Sequence, residues 1–353
     1  MSLQLRFLSS AFDIKPAQWD AICATDYPFL RHRFIAGLEQ SRCTSAATGW
    51  QPWHAALYES EHLLALMPMY IKAHSYGEYV FDWSWEQAWQ THGLAYYPKL
   101  VTAVPFTPAT GPRLCVDKHL AAPEHARELL INSVQDWAVQ QGLSSWHGLF
   151  TSRAIAEELA TQNCLTRTGT QFHWFNEGYD SFDDFLSRFN ARKRKAVKRE
   201  RRRVQEQNIR CTTLRGAEIA EEHWQTFYRF YRNTYLKRSG HGGYLSEAFF
   251  CEICPQMGEQ VVMVLASEQD KAIAGALYFV GGDTLYGRYW GCETERDCLH
   301  FEVCYYQGID FCIANHIARF DPGAQGEHKI QRGFTPVTTY SSHFIADTTL
   351  RNA

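Results

Sequence analysis

Two stretches of the chain share one rhythm of apolar and polar positions. HAALYESEHLLALMPMYIKAHSYGEYVFDW, from His54 to Trp83, alternates in Val-, Leu- and Tyr-rich runs broken by a polar turn at Glu59–His62. VVMVLASEQDKAIAGALYFVGGDTLYGRYW, from Val261 to Trp290, does the same around Glu268–Lys271. Period-two alternation with polar turns predicts strand–turn–strand–turn–strand in both, with Asp82-Trp83 falling where Tyr289-Trp290 falls. The next elements of each half match as well. ELLINSVQDWAVQQG, 128–142, and FEVCYYQGIDFCIANH, 301–316, have helical spacing, and SSWHGLF and ARFDPGAQ are the strands after them. Each half closes on a further strand, TQFHWF at 170–175 and YSSHFI at 340–345. The chain is therefore read as an approximate duplication. The polar, turn-rich NEGYDS separates residues 1–177 from 178–353. The expected class is α/β (α+β), each half a mixed, mostly antiparallel sheet flanked by helices.

Several longer strings carry a resemblance: YYPKLVTAVPFTPATGPRL, QFHWFN, FDDFLSRFNARKRKAVKRER, LYGRYWG, LHFEVCYYQGI and GAQGEHKIQRGFTP. From about Tyr70 onward the chain resembles the bacterial predicted N-acyltransferases related to the Fem peptidoglycan aminoacyltransferases. The resemblance implies two tandem GNAT-like acyl-CoA N-acyltransferase domains. It also implies transfer of an acyl or aminoacyl group from acyl-CoA or aminoacyl-tRNA to an amine acceptor, such as a cell-wall precursor. One feature departs from the pattern. A Gly-rich phosphate cradle ordinarily opens the helix after the long hairpin, whereas CLHFEVCYY and AYYPKLV open these helices without glycine.

GAQGEHKIQRGF follows a core strand, so it lies at the strand end where open α/β sheets place ligands. Glycines 323, 326 and 333 permit a tight turn. Glu327 or His328 is the expected base, and Gln325, Lys329 and Arg332 the groups contacting substrate. The bland alternative is a solvent-facing loop with its own Glu–Arg pair. On LYGRYWG, Arg288 and Trp290 share one face and Tyr289 takes the other; Arg288 then needs an anion, from substrate or from Glu302 or Glu327. His300 is a third candidate base, and Glu302 sits where the helix dipole favours an acid. The resemblance offers Tyr305 as general acid, while its stripe with Phe301 and Ile309 points to packing. In the first half Lys99, Thr107, Thr110 and Arg113 stand among prolines that enforce a stiff wall, read as a substrate contact or as a surface loop.

Charge changes the picture in one place. The net charge is −3, yet RKRKAVKRERRR, 192–203, holds nine cations and one acid. It continues a helix expected to begin near Ser181, where S-F-D-D resembles a capping box. Arg192, Lys193, Arg194, Lys195, Lys198 and Arg199 are the candidate contacts to phosphate or nucleic acid. The partners that such a helix admits are tRNA, a coenzyme phosphate, or an anionic lipid-linked precursor at the inner membrane face. A non-catalytic RNA- or phosphate-binding protein on a decayed transferase fold is the alternative function. CEIC, 251–254, has no second pair, so no metal is expected. Eleven scattered cysteines suit reduced thiols. No secretory signal and no bilayer-length apolar run are read, so cytoplasm is the expected location.

Overall fold

Both polar turns close hairpins. Glu59 pairs with His62 and Glu268 with Lys271, each at the tip of two antiparallel strands. The computed structural model describes residues 3–324 and 326–352. They form two compact units: the chain up to Gly169 together with Thr338 onward, and Thr170–Val337. The chain changes unit inside the strand Leu165–Phe175 and again inside Thr335–Ile345. The sequence places the division at 177/178 and does not reveal the return, because both crossings lie within continuous strands and only long-range packing decides to which unit each end belongs.

In the first unit Leu3–Leu8, His54–Glu59, His62–Met67 and Cys115–Val116 make an antiparallel sheet. Lys99–Thr102 runs parallel to Ser145–Thr151, which pairs antiparallel with Tyr340–Ile345. The helix Pro123–Gln140 turns Ala126, Leu130, Ile131, Val134 and Ala138 onto this core, the spacing expected of a one-faced helix. The expected third strand of this half is reduced to Tyr70–Lys72, and Asp82 instead precedes the helix Trp83–Thr91. Asp82 has a structural partner: its carboxylate and that of Glu78 receive the buried Lys99 ammonium at 2.5 and 2.9 Å.

In the second unit Ile209–Arg215, Val261–Glu268, Lys271–Gly281 and Thr284–Cys292 form an antiparallel meander. Thr284–Tyr286 then pairs parallel with the short strand Arg319–Asp321. The register slips between Leu277 and Tyr278, whose partners are Tyr289 and Gly287, so Arg288 is the extra residue of a bulge. The opposite faces assigned to Trp290 and Tyr289 are seen: Trp290 meets His300 and Tyr289 meets Tyr231.

The expected helix from Ser181 is two helices, Phe182–Ser187 and Ala191–Glu206. Ser181 caps the first by accepting the Asp184 N–H, and Asn190 caps the second by accepting the Lys193 N–H. A residue able to cap a helix start favours a break over continuation.

The long helix Glu221–Ser239 lies against the sheet at Gly291. A Cβ there would stand 2.2 Å from the Phe230 carbonyl carbon and 2.4 Å from its oxygen. Gly291→Ala should therefore force helix and strand apart, costing about 1–3 kcal/mol. Urea unfolding measures this, and an unchanged midpoint would show that the helix has room to withdraw.

Candidate active site

After Tyr286 and Asp321 the two parallel strands stop pairing, and a cavity of about 580 Å³ opens beside the parting. That volume is in the range of small-ligand sites. Its walls come from Gly287–Trp290 on one strand, Pro322 and Ala324 beyond the other, and His328 and Lys329 on the short helical turn Glu327–Arg332. Thr234, Tyr235 and Arg238 from the end of the long helix complete it, with His300, Cys304 and Tyr305. In the first unit the gap beside Trp146 and Gly148 holds only about 10 Å³, barely room for one water.

The helix Leu299–Ala314 has a wide π turn at Glu302–Tyr306. The Val303 carbonyl accepts from the buried Tyr278 hydroxyl. Widening of this kind recurs at functional sites, and here it brings His300, Cys304 and Tyr305 to one wall. The Tyr305 hydroxyl and His328 Nε2 are hydrogen-bonded at 2.9 Å. Burial pushes the Tyr305 phenol up, so it stays protonated. Burial, then Arg332 and Lys329, hold the His328 ring below its usual value. His300 is pressed to about 4 by burial and by Arg238, His328, Arg332 and Lys329. It packs on Trp290, Tyr305 and Phe301 and makes no hydrogen bond among the described residues.

Arg288 does not wait for a substrate anion. Its guanidinium forks onto Asp321 at 2.7 and 3.3 Å, both side chains being buried. Burial alone would raise the Asp321 carboxyl. The Arg288 charge, the His173 ring and hydrogen bonds from Arg288 and the Gly323 N–H outweigh it and hold the group at about 2. Asp321 is not among the partners expected from sequence. The signal for it is local: an acid at the end of a core strand and before a Pro-Gly turn.

Other expectations are redistributed. Glu327 is exposed and lies outside the cavity wall. Arg332 is bound to Glu200 at 2.7 Å, stacked over Phe301, and serves no open anion site. Glu302 receives Arg201. Gln325 lies outside the described residues. Lys329 does line the cavity; its buried ammonium donates to the Gly323 and Ala324 carbonyls at 2.8 and 3.3 Å. Burial lowers its pKa to about 8, against the opposing charge of Asp321.

The stiff wall of the first half faces inward instead of toward ligand. Thr107 and Arg113 are buried, Arg113 donates to the Leu149, Pro112 and Ala109 carbonyls, and Thr110 is half-buried.

On the basic helix the structure sorts the cations. Lys193 sits over the Phe189 ring, Arg194 donates to the Ser187 and Phe189 carbonyls, and Lys198 pairs with Asp183. Arg192, Lys195 and Arg199 are exposed with no polar partner among the described residues. Arg202 joins them on the same face, a residue not singled out from the sequence.

These parts define an α/β fold of two tandem GNAT-type units with a chamber at a strand parting. The chain belongs to the FemAB-like family, described as peptidoglycan biosynthesis/recognition, whose model matches residues 10–353. Three similar solved structures support the fold. FemX has 13% identity and a TM-score of 0.52, over 89% of this chain and 92% of that one. L-PGS from Bacillus licheniformis has 11% identity and a TM-score of 0.52, over 89% and 91%. A tandem GNAT protein from the clavulanic acid biosynthesis pathway has 10% identity and a TM-score of 0.50, over 98% and 99%. No curated protein sequence matches the chain.

Asp321→Asn would leave a buried guanidinium without its counter-charge, an expected loss of about 3–5 kcal/mol. The depressed carboxyl stabilises the fold above about pH 4, and that contribution disappears as pH falls through about 2. It amounts to about 2 kcal/mol. Denaturant unfolding from pH 5 to 2 should show this acid limb in the wild type and its reduction in D321N.

Proposed function

We propose that the protein transfers an aminoacyl group from tRNA to an amine of a peptidoglycan precursor, in the chamber of the second unit. The hydrogen-bonded Tyr305–His328 pair, facing an open cavity at the strand parting, carries this reading. An amine attacking the donor ester forms the new C–N bond and must lose a proton; His300 lines the chamber as a neutral imidazole and, being too weak a base at about 4 to keep that proton, passes it on to solvent. The ester C–O bond then breaks, and the departing hydroxyl oxygen needs a proton. Tyr305 is protonated and can supply it, and the exposed His328 can then relay a proton from solvent to the phenolate. Orientation of the two reactants contributes up to ~7–11 kcal/mol in such reactions. Glu327 has no part in this scheme, being exposed and off the wall.

Two further observations favour a nucleic-acid-borne donor. The turn that opens the helix after the long hairpin carries Glu293, Glu295 and Asp297, a poor seat for a coenzyme pyrophosphate. The unpaired cations Arg192, Lys195, Arg199 and Arg202 recur at three- and four-residue spacing, which is one helix face. Among the described residues the helix itself exposes no large hydrophobic side chain, as membrane insertion would require.

Transfer of radiolabelled amino acid from charged tRNA, compared with acetyl-CoA, tests the donor. Tyr305→Phe and His300→Asn should each lower turnover about 10²–10⁴-fold with little change in unfolding midpoint. Wild-type turnover in Y305F would remove the tyrosine from the mechanism, and tRNA binding without transfer would leave the non-catalytic reading. Replacing Arg192, Lys195, Arg199 and Arg202 by Gln should flatten the slope of log affinity against log salt by about 3 for tRNA. An unchanged slope places the RNA elsewhere.

A further inference from the structure

The described residues lining the chamber include Arg238, Arg288 and Lys329 and not one Asp or Glu. Arg288 is neutralised by Asp321 behind the wall. The other two are not. Lys329 carries three donor protons, and its ammonium reaches only the Gly323 and Ala324 carbonyls, which leaves one proton without an acceptor among the described residues. It is buried in the wall. Arg238, on the last turn of the helix Glu221–Ser239, is exposed, lines the cavity, and has no hydrogen-bond or ion-pair partner among the described residues. The two cations come from different elements, and both bear on His300, whose ring feels each of them. An excess of positive charge in a concave, partly desolvated space favours an anionic occupant, and an unpaired guanidinium is shaped for a carboxylate or phosphate.

We infer that the amine accepted by this chamber carries an oxyanion, carboxylate or phosphate, held between Arg238 and Lys329, and that Arg238 determines this specificity. The inference deepens the reading of the chamber as the transfer site and rests on it only for the amine. The oxyanion docks against the end of the long helix, which leaves the amine to point inward toward His300 and Tyr305. An amine lacking the anion leaves Arg238 and Lys329 without their partner and binds less well.

The test measures binding to the full chain with no donor present. Ligand-observed NMR titration compares β-alanine, O-phosphoethanolamine and ethanolamine: one amine with a carboxylate, one with a phosphate, one with neither. At least one of the two anions should bind about tenfold more tightly than ethanolamine, and the better of the pair identifies the group. Arg238→Gln, an exposed substitution, should abolish the preference. Lys237→Gln removes a neighbouring cation that does not line the cavity, and should retain it. Equal affinities, a preference surviving in R238Q, a preference lost equally in K237Q, or no binding of either anion at about 20 mM would each overturn the inference. Because no transfer is measured, an intact preference beside absent transfer activity would sink the transferase reading alone. Transfer to amines regardless of charge would sink only this one.

Discussion

The ion pair between Arg288 and Asp321 is the constraint on which the second unit's chamber depends. A buried pair of this kind adds little net stability, because desolvating both charges offsets most of their attraction. It is expensive to break, however, and that makes it a device for fixing geometry. The bulge puts Arg288 out of register at the point where pairing with the short strand ends. Asp321 is the last residue of that strand. Their fork therefore sets where the strands part, and so where the chamber begins. The same carboxylate takes the Gly323 N–H, and the carbonyls of Gly323 and Ala324 hold Lys329. One acid organises the turn that seats His328 beside Tyr305.

The basic helix shows the opposite use of charge. The acid within its cationic run, Glu200, faces inward, binding Arg332 and the Tyr306 hydroxyl. Arg201 beside it spans Glu302 and Asp310, while Val197 and Val204 enter the core. This inner face anchors the helix, and the outer face leaves Arg192, Lys195, Arg199 and Arg202 exposed. Composition alone could not separate the two populations. Position around the helix does.

How much of this is legible in the sequence depends on the range of each interaction. The two hairpins are legible because alternation and a polar turn are local. The facing of Trp290 and Tyr289 is legible for the same reason. The partner of Arg288 is not, since it depends on which strand lies alongside, and acids elsewhere in the chain, Glu302 and Glu327, are equally plausible by type. Arg238 escapes notice because a cation at a helix end is ordinary until a cavity is found next to it. Arg113 and Lys99 mislead in the other direction. A charged residue among prolines looks like a binding wall, but carbonyls or acids within the first unit absorb both.

The contact at Gly291 has a mechanical consequence. With no side chain between them, the sheet and the helix that carries Arg238 on its last turn approach to backbone contact, so that flank of the chamber has no slack. The facing flank contains Gly323, Gly326 and Gly333, all at positive φ, conformations that cost glycine little. A larger guest is therefore accommodated by displacing the glycine side, which carries Lys329, while Arg238 stays on the rigid border.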